Sequence, residues 1–209
     1  MKRKVILRIL LVVAILVVVV TCIKMTPVVT EGYKMYKEAV KETNLQAAIE
    51  AVRSDEDYIT IDQISHSFLE EVIESEDRRF YSHGGIDLFA TARAVFHNIQ
   101  AGKLVEGGST ITQQLAKNLY FSFEKKYERK VAELFVAMDI EKMFSKEEIL
   151  ELYCNIAYFG EGCYGLKEAA NHYYGVEAAD LSNEQADALV WTLKSPNYYN
   201  PNVYVGAAL

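Results

Sequence analysis

The 209-residue sequence predicts a mainly α-helical domain carried by a single N-terminal transmembrane helix. Apolar residues recur at helical spacing along most of the chain, whereas an alternating strand pattern is almost absent. Residues 5–23 are apolar except for Arg8, Thr21 and Cys22, and about 20 apolar residues span a bilayer. These observations divide the chain into a cytoplasmic stub at 1–4, a transmembrane anchor at 5–23, a linker helix at 24–57 and a domain at 58–209.

The charges around the anchor predict its orientation. Four cations precede or begin the apolar core, Lys2, Arg3, Lys4 and Arg8, whereas Lys24 stands alone on its far side. By the positive-inside rule, the N-terminus is cytoplasmic and the chain after residue 24 is extracytoplasmic. A cleaved signal peptide has a similar apolar core, but no small-x-small cleavage site follows this one. The sequence therefore predicts an uncleaved, single-pass protein of the cell membrane.

The extracytoplasmic part is acidic. Five of the 22 Lys and Arg residues belong to the anchor region, so 17 of them face 29 Asp and Glu residues, a net charge of −12. This charge argues against nucleic acid as a partner and against nonspecific adhesion to anionic headgroups. A phosphate ligand therefore requires a local cluster of cations. Cys154 and Cys163 form either a disulfide or two small buried thiols.

Helical spacing accounts for the first half of the chain beyond the anchor. Tyr33, Tyr36 and Val40 mark the linker helix, and residues 58–61 form a short extended piece. Ser65 caps a helix that ends at Glu76. Residues 87–101 form another apolar helix, which is either a core helix or a helix that dips into the bilayer surface.

Glu76 lies in a charged stretch that the Gly84-Gly85 pair closes. A carboxylate at a helix C-terminus meets the negative end of the helix dipole, which raises its proton affinity. A general base near neutral pH needs this property, although Arg78 and Arg79 act in the opposite direction. We interpret Glu76 as the candidate catalytic carboxylate.

A glycine turn begins the next helix. Gly107 and Gly108 free the backbone, Ser109 and Thr110 can cap the helix, and its first N–H groups offer a seat for an anion. Two polar rows then project from the helix at i,i+4 spacing: Gln113 with Lys117, and Gln114 with Asn118.

The C-terminal half is also predicted to be helical. Residues 129–144 form a long helix, and Ser145 caps the next one. The aromatic and glycine run at 158–165 predicts a tight loop, after which a short helix ends at Gly175. Asp180 or Ser182 caps a further helix that ends before Pro196.

Taken together, these segments resemble the peptidoglycan glycosyltransferases, glycosyltransferase family 51. The resemblance runs from about residue 58 to 201, in the family's order and spacing. It rests on Glu76-Asp77-Arg78-Arg79-Phe80-Tyr81-x-His83-x-Gly85, Gly107-Gly108-Ser109-Thr110-Ile111-Thr112-Gln113-Gln114-x-x-Lys117-Asn118, Arg129-Lys130-x-x-Glu133, Glu148-Ile149-x-Glu151-x-Tyr153-x-Asn155, the 160–165 loop and Pro196-x-x-Tyr199-x-Pro201. No transpeptidase domain follows in this sequence, which therefore resembles the monofunctional biosynthetic form.

The resemblance implies a lysozyme-like, two-lobed helical domain whose smaller lobe lies in the outer leaflet. It implies a hexosyltransferase that polymerises lipid II. The 4-hydroxyl of the acceptor sugar attacks the anomeric carbon of the lipid-linked strand, undecaprenyl pyrophosphate leaves, and a β-1,4 bond forms with inversion. The expected partners are lipid II, the growing lipid-linked strand, the bilayer and a cell-wall synthesis complex.

The same resemblance assigns roles to individual residues. Glu76 is the general base, and Glu133 is the second catalytic carboxylate. The expected ligands of the pyrophosphate and its sugars are Ser109, Thr110, Gln113, Gln114, Lys117, Asn118, Lys125, Arg129 and Lys130. Many relatives have an arginine where Lys125 stands, and lysine keeps the charge without the bidentate fork.

Five further residues are expected to support the site: Asp77, Arg78, His83, Tyr153 and Asn155. Asp77 either takes part in the reaction or anchors Arg78 or a nearby backbone group, and His83 either fixes the glycine turn or moves protons. Tyr153 and Asn155 either pack and hold a loop or serve as ligands. A Mg²⁺ or Mn²⁺ ion between Glu133 and the phosphates is an optional cofactor.

Two other functions remain open on the sequence. A lytic enzyme that cleaves glycan strands could share the fold, because fold does not determine function. Such an enzyme needs a protonated carboxylate and has no use for the Ser/Thr/Gln/Lys/Arg cluster. The other alternative is a non-catalytic, membrane-anchored member of a cell-wall complex.

Overall fold

A computed structural model describes residues 2–103, 105–121 and 126–203. These ranges are mainly α-helical, as predicted, and the one bridge of strand type within them joins Tyr158 to Tyr164. The helices are α1 Lys2–Glu42, α2 Leu45–Arg53, α3 His66–Glu76, α4 Leu88–Ala101, α5 Ile111–Tyr120, α6 Tyr127–Met143, α7 Lys146–Ile156, α8 Leu166–Tyr174, α9 Asn183–Lys194 and α10 Pro196–Tyr199. Short 3₁₀ turns at Ile61–Gln63, Phe80–Ser82 and Ala178–Asp180 connect some of them.

Side-chain caps fix where the helices begin. The Ser65 hydroxyl accepts a hydrogen bond from the Phe68 N–H, so α3 starts and ends where the sequence predicts. Ser145 begins α7 with a capping box, and of the two residues proposed for α9, Ser182 is the cap. Each such cap contributes about 1 kcal/mol, which explains why these boundaries are legible in the sequence.

The N-terminal helix α1 runs through the predicted anchor and into the predicted linker without a break, and it contains Pro27. The linker segment itself is interrupted after Glu42, because Asn44 caps the separate helix α2. Within the described ranges, no helix combines the length and the apolar character that crossing a membrane requires.

The core forms around α5. This helix buries Ile111, Leu115 and Ala116 and packs against both α6 and α7, while α3 packs against α9. Phe68 of α3 contacts Phe159 of the loop after α7, with ring centroids 6.2 Å apart. Because α3, α5 and α6 share one packed core, the residues that they carry are held at fixed separations.

Helix α4 lies outside this core. Asp87 caps it by accepting hydrogen bonds from the Phe89 and Ala90 N–H groups. Only Ala94 of its side chains is buried, and its large apolar side chains are exposed: Leu88 by 74%, Phe89 by 73%, Phe96 by 64% and Ile99 by 75%. The interpretation of 87–101 as a core helix is therefore wrong.

Cys154 and Cys163 are two free, buried thiols, so the disulfide alternative does not hold. Burial raises the pKa of both. Near neutral pH they behave as small apolar groups and not as nucleophiles.

Candidate active site

Glu76 stands at the last turn of α3 with its side chain half-buried. The Gln114 amide of α5 donates a hydrogen bond to Glu76 Oε2 over 3.0 Å, and the Tyr153 hydroxyl donates to Gln114 Oε1 over 3.2 Å. Burial, and then the negative charge of Glu76, hold the pKa of Tyr153 well above its ordinary value. Tyr153 is therefore a permanent donor, which orients the amide so that its NH₂ group faces Glu76.

Asp77 ties the end of α3 to the start of α5. His83 Nε2 lies 2.8 and 3.0 Å from its two carboxylate oxygens, and the Ile111 N–H donates to Asp77 Oδ2 over 3.1 Å. Arg78 pairs instead with Glu74 on the exposed surface. Of the two anchoring roles expected for Asp77, the structure therefore shows the backbone anchor and places Arg78 away from it.

The cations of the site surround one buried carboxylate. Glu133 on α6 is fully buried; one of its oxygens accepts a hydrogen bond from Arg129, and the other accepts one from Lys130 over 2.9 Å. Lys130 also donates to the Ser109 hydroxyl over 2.7 Å. Buried charges need such partners, and this carboxylate holds both cations in place.

Lys117 of α5 lies in the field of the same group. Burial lowers its pKa, Glu133 raises it, and the neighbouring Arg129 and Lys130 lower it again; the pKa is below the ordinary value. Three cations and one carboxylate leave a local excess of positive charge within an acidic protein. This excess is the local cation cluster that a phosphate ligand requires. We call Lys117, Arg129, Lys130 and Glu133 the cation cluster.

Two predicted ligands turn inward. Thr110 and Gln113 are 2% and 3% exposed and form the capping box of α5. The Thr110 hydroxyl also donates to the Gly85 carbonyl over 2.6 Å. Both side chains are thus used to hold the start of α5, and neither faces an open surface for substrate.

The two asparagines line the same cleft but differ in their hydrogen bonds. Asn155 exchanges hydrogen bonds with the backbone of Ile59, 2.8 Å in each direction, so it holds a loop. Asn118 continues the row of Gln114 along α5 and reaches this cleft, which measures about 500 Å³. Tyr58, Tyr158 and other side chains from separate segments also line this cleft, and this separation is why the sequence did not reveal it.

Lys125 lies outside the described residues. The proposed Mg²⁺ or Mn²⁺ ion does not fit Glu133, because both of its oxygens already accept hydrogen bonds from cations. In the described part of the chain, the one group of three possible metal ligands is Asp77, His83 and Asp87.

Comparison with known proteins identifies the family of the chain. A family model described as Transglycosylase matches residues 42–208. The biosynthetic peptidoglycan transglycosylase of Nitrosospira multiformis is 40% identical over 165 residues, which are 79% of this chain and 70% of that protein. Its counterpart in Alcanivorax borkumensis is 46% identical over 153 residues, 72% of this chain and 62% of that protein.

Larger proteins match the same segment. Penicillin-binding protein 1A of Aquifex aeolicus is 44% identical over 152 residues, which are 73% of this chain. The match covers 21% of that relative, so the chain spans about a fifth of its length.

Proposed function

The chain belongs to the transglycosylase family, and we propose that it polymerises lipid II into the β-1,4-linked glycan strands of peptidoglycan. One observation carries this proposal: α5 joins a half-buried carboxylate to a cation cluster. Gln114 contacts Glu76, and Lys117, one turn further on, lies in the field of Glu133. A glycosyl transfer from a pyrophosphate needs a base and an anion site at such a fixed separation.

Glu76 acts as the general base in this proposal. The acceptor 4-hydroxyl has a high pKa, so its proton must pass to a carboxylate within about 3 Å as the new bond forms. Gln114 donates a hydrogen bond to one carboxylate oxygen and thereby orients the group, and in this proposal the other oxygen accepts the proton. The displacement inverts the anomeric carbon in one step, so no nucleophilic side chain is needed.

The cation cluster stabilises the leaving group. Negative charge grows on undecaprenyl pyrophosphate as the glycosidic bond breaks, and fixed cations near that charge lower the barrier. Lys117, Arg129 and Lys130 supply the charge, and Ser109 supplies a hydroxyl bonded to Lys130. Glu133 holds Arg129 and Lys130 in position before substrate arrives, which reduces reorganisation during the reaction.

The substrate reaches this site from a membrane. Residues 5–23 serve as a single-pass anchor with the N-terminus in the cytoplasm, and the exposed apolar face of α4 enters the outer leaflet as the smaller lobe of a lysozyme-like domain. The exposed Leu88, Phe89 and Phe96 side chains support this placement, since large apolar patches mark interaction surfaces. A cell-wall synthesis complex is the proposed protein partner.

The test is polymerisation by the purified full chain. Labelled lipid II is supplied to the wild type, to Glu76→Gln, and to Glu74→Gln, a matched control on the exposed surface of the same helix. Long strands are expected from the wild type and the control but not from Glu76→Gln. Shortening of pre-made strands would instead identify a lytic enzyme, and a folded wild type that makes no polymer would refute the proposal.

A further inference from the structure

The part of α1 that follows the proposed anchor packs closely against α6. Gly32 is buried at this crossing. A Cβ atom added to it would lie 2.6 Å from the Glu128 carbonyl oxygen and 2.6 Å from Val131 Cβ. Since real Cβ atoms keep larger distances, only glycine permits this crossing.

An aromatic contact extends the same interface by a further turn. Phe135 of α6 packs edge-on against Tyr33 and stacks on Tyr36, with ring centroids 5.1 and 5.4 Å apart. The Tyr36 hydroxyl donates to Asp139 over 2.5 Å. This bond and burial raise the pKa of Tyr36 to about 12, so the hydroxyl remains a donor at physiological pH. Together these contacts fix α1 against α6 in both rotation and translation.

The opposite side of α6 carries three of the four residues of the cation cluster. Glu128, Val131, Phe135 and Asp139 meet α1, whereas Arg129 and Lys130 turn to Glu133 and Ser109. One helix therefore separates α1 from the groups proposed to hold pyrophosphate. Because α1 is proposed to be anchored in the bilayer, any displacement of α1 relative to α6 would change the distance between the cation cluster and the bilayer.

The length of α1 sets the distance between the proposed membrane anchor and the crossing with α6. The helix is continuous from the proposed anchor, which ends at residue 23, to the crossing at Gly32. At 1.5 Å per residue this stretch measures about 13 Å. The headgroup layer on one side of a bilayer is roughly 5 to 7 Å thick. The crossing therefore lies just beyond the headgroups, within reach of a pyrophosphate attached to a membrane lipid.

We propose that α1 is a rigid spacer that fixes the height of the cation cluster above the bilayer, with Gly32 and Tyr36 as the positioning residues that lock it to α6. This inference rests on the proposed function and adds the way in which the site is matched to a lipid-linked substrate. It requires that α1 be stiff between residues 24 and 32, even though Pro27 lies in this stretch and removes one backbone hydrogen bond of the helix.

The test changes the spacer length without changing its contacts. Seven helix-forming residues inserted between Val29 and Thr30 lengthen α1 by about 10 Å and rotate it by only about 20°, so Gly32 and Tyr36 keep their face. A matched variant carries seven Gly and Ser residues at the same place, which lets the domain fold back toward the bilayer. Each protein is assayed with lipid II in vesicles and with a short-chain, water-soluble analogue of lipid II.

The helical insertion is expected to lower turnover of vesicle-bound lipid II at least tenfold and to leave turnover of the soluble analogue within twofold of the wild type. The flexible insertion is expected to keep most of the vesicle activity. Unchanged turnover of vesicle-bound lipid II with the helical insertion would overturn the proposal that α1 is a rigid spacer. Loss of activity on both substrates with both insertions would overturn it as well, because the insertion would then act on the fold. Failure of the wild type on the soluble analogue and on vesicles would refute the proposed function instead.

Discussion

Helices α4 and α5 have similar sequence patterns and opposite surroundings. Each begins at a side-chain cap, Asp87 or Thr110, and each carries an apolar stripe at helical spacing. Helix α5 turns that stripe into the core and its polar row toward Glu76 and the cation cluster. Helix α4 buries only Ala94 and leaves Phe89, Phe96 and its other large apolar side chains exposed.

The difference shows that periodicity specifies a helix but not the medium that covers its apolar face. A stripe of Leu, Phe and Ile packs equally well against protein or against lipid chains. What separates the two helices is position: α5 lies between α6 and α7, whereas α4 has no such neighbours among the described residues. We therefore expect truncation of the two stripes to affect different measurements.

Leu115→Ala and Phe96→Ala test this contrast directly. Leu115 is fully buried, so its truncation should lower the free energy of unfolding by about 2 to 5 kcal/mol. Phe96 is 64% exposed, so its truncation should change that free energy by less than about 0.5 kcal/mol but lower turnover of lipid II in vesicles several-fold, because α4 then enters the outer leaflet less well. Chemical denaturation and the polymerisation assay measure the two effects. Equal destabilisation by both substitutions would contradict the contrast.

The polar row of α5 should matter for chemistry and not for the fold. Lys117→Met keeps the length of the side chain and removes its charge, so it should lower kcat by about 10²- to 10³-fold, as loss of one charge-stabilising group does. Lys34→Met, on the exposed surface of α1, is the control and should leave kcat unchanged. A kcat for Lys117→Met within threefold of the wild type would remove Lys117 from the anion site.

The cap of α5 should contribute a moderate amount of stability. Thr110→Val removes the hydroxyl that accepts from the Gln113 N–H and donates to the Gly85 carbonyl. We expect a loss of about 1 to 2 kcal/mol in the free energy of unfolding. Thr110→Ser keeps the hydroxyl and should keep most of the stability. Thermal or chemical denaturation of the two variants distinguishes a cap from a residue that serves only as a ligand.

The smallest expected effect is on the pH dependence of pyrophosphate binding. The pKa of Lys117 is lowered, so in the folded protein this side chain loses its charge at a lower pH than an ordinary lysine. Affinity for inorganic pyrophosphate, measured by calorimetry, should therefore begin to fall with rising pH below 10.5, while Lys117→Arg should hold its affinity to higher pH.

The lowered pKa of Lys117 also makes the stability of the fold depend on pH. The folded protein disfavours the charged form of Lys117, so this group opposes folding below its folded-state pKa. That opposition declines as the pH rises from there to 10.5 and is absent above it. Identical affinity profiles for the wild type and Lys117→Arg would show that Lys117 does not contact the anion.

Much of the fold was predictable because its signals are local. Ser65, Ser145 and Ser182 begin helices through hydrogen bonds to residues three positions away, and the apolar spacing within each helix is equally local. The inward turn of Thr110 and Gln113 was also readable, since Thr-x-x-Gln is the spacing of a capping box. Thr110 was predicted both as a possible cap and as a ligand, whereas Gln113 was predicted as a ligand only.

The arrangement of the site was less predictable because its contacts are distant in sequence. Gln114 meets Glu76 across 38 positions, and Asp77 meets the Ile111 N–H across 34. The crossing of Gly32 with α6 spans a still longer separation and leaves no local pattern. Such contacts follow from packing in three dimensions, which periodicity alone does not specify.

Glu76 and the cation cluster have separate proposed roles, and Glu76→Gln tests this separation most directly. The glutamine keeps the shape of the side chain but cannot accept the proton, so turnover of lipid II should fall by about 10²- to 10⁴-fold. Binding of undecaprenyl pyrophosphate to the same variant should stay within threefold of the wild type, because Lys117, Arg129 and Lys130 are intact. A variant that still polymerises lipid II at a rate within tenfold of the wild type would contradict the account.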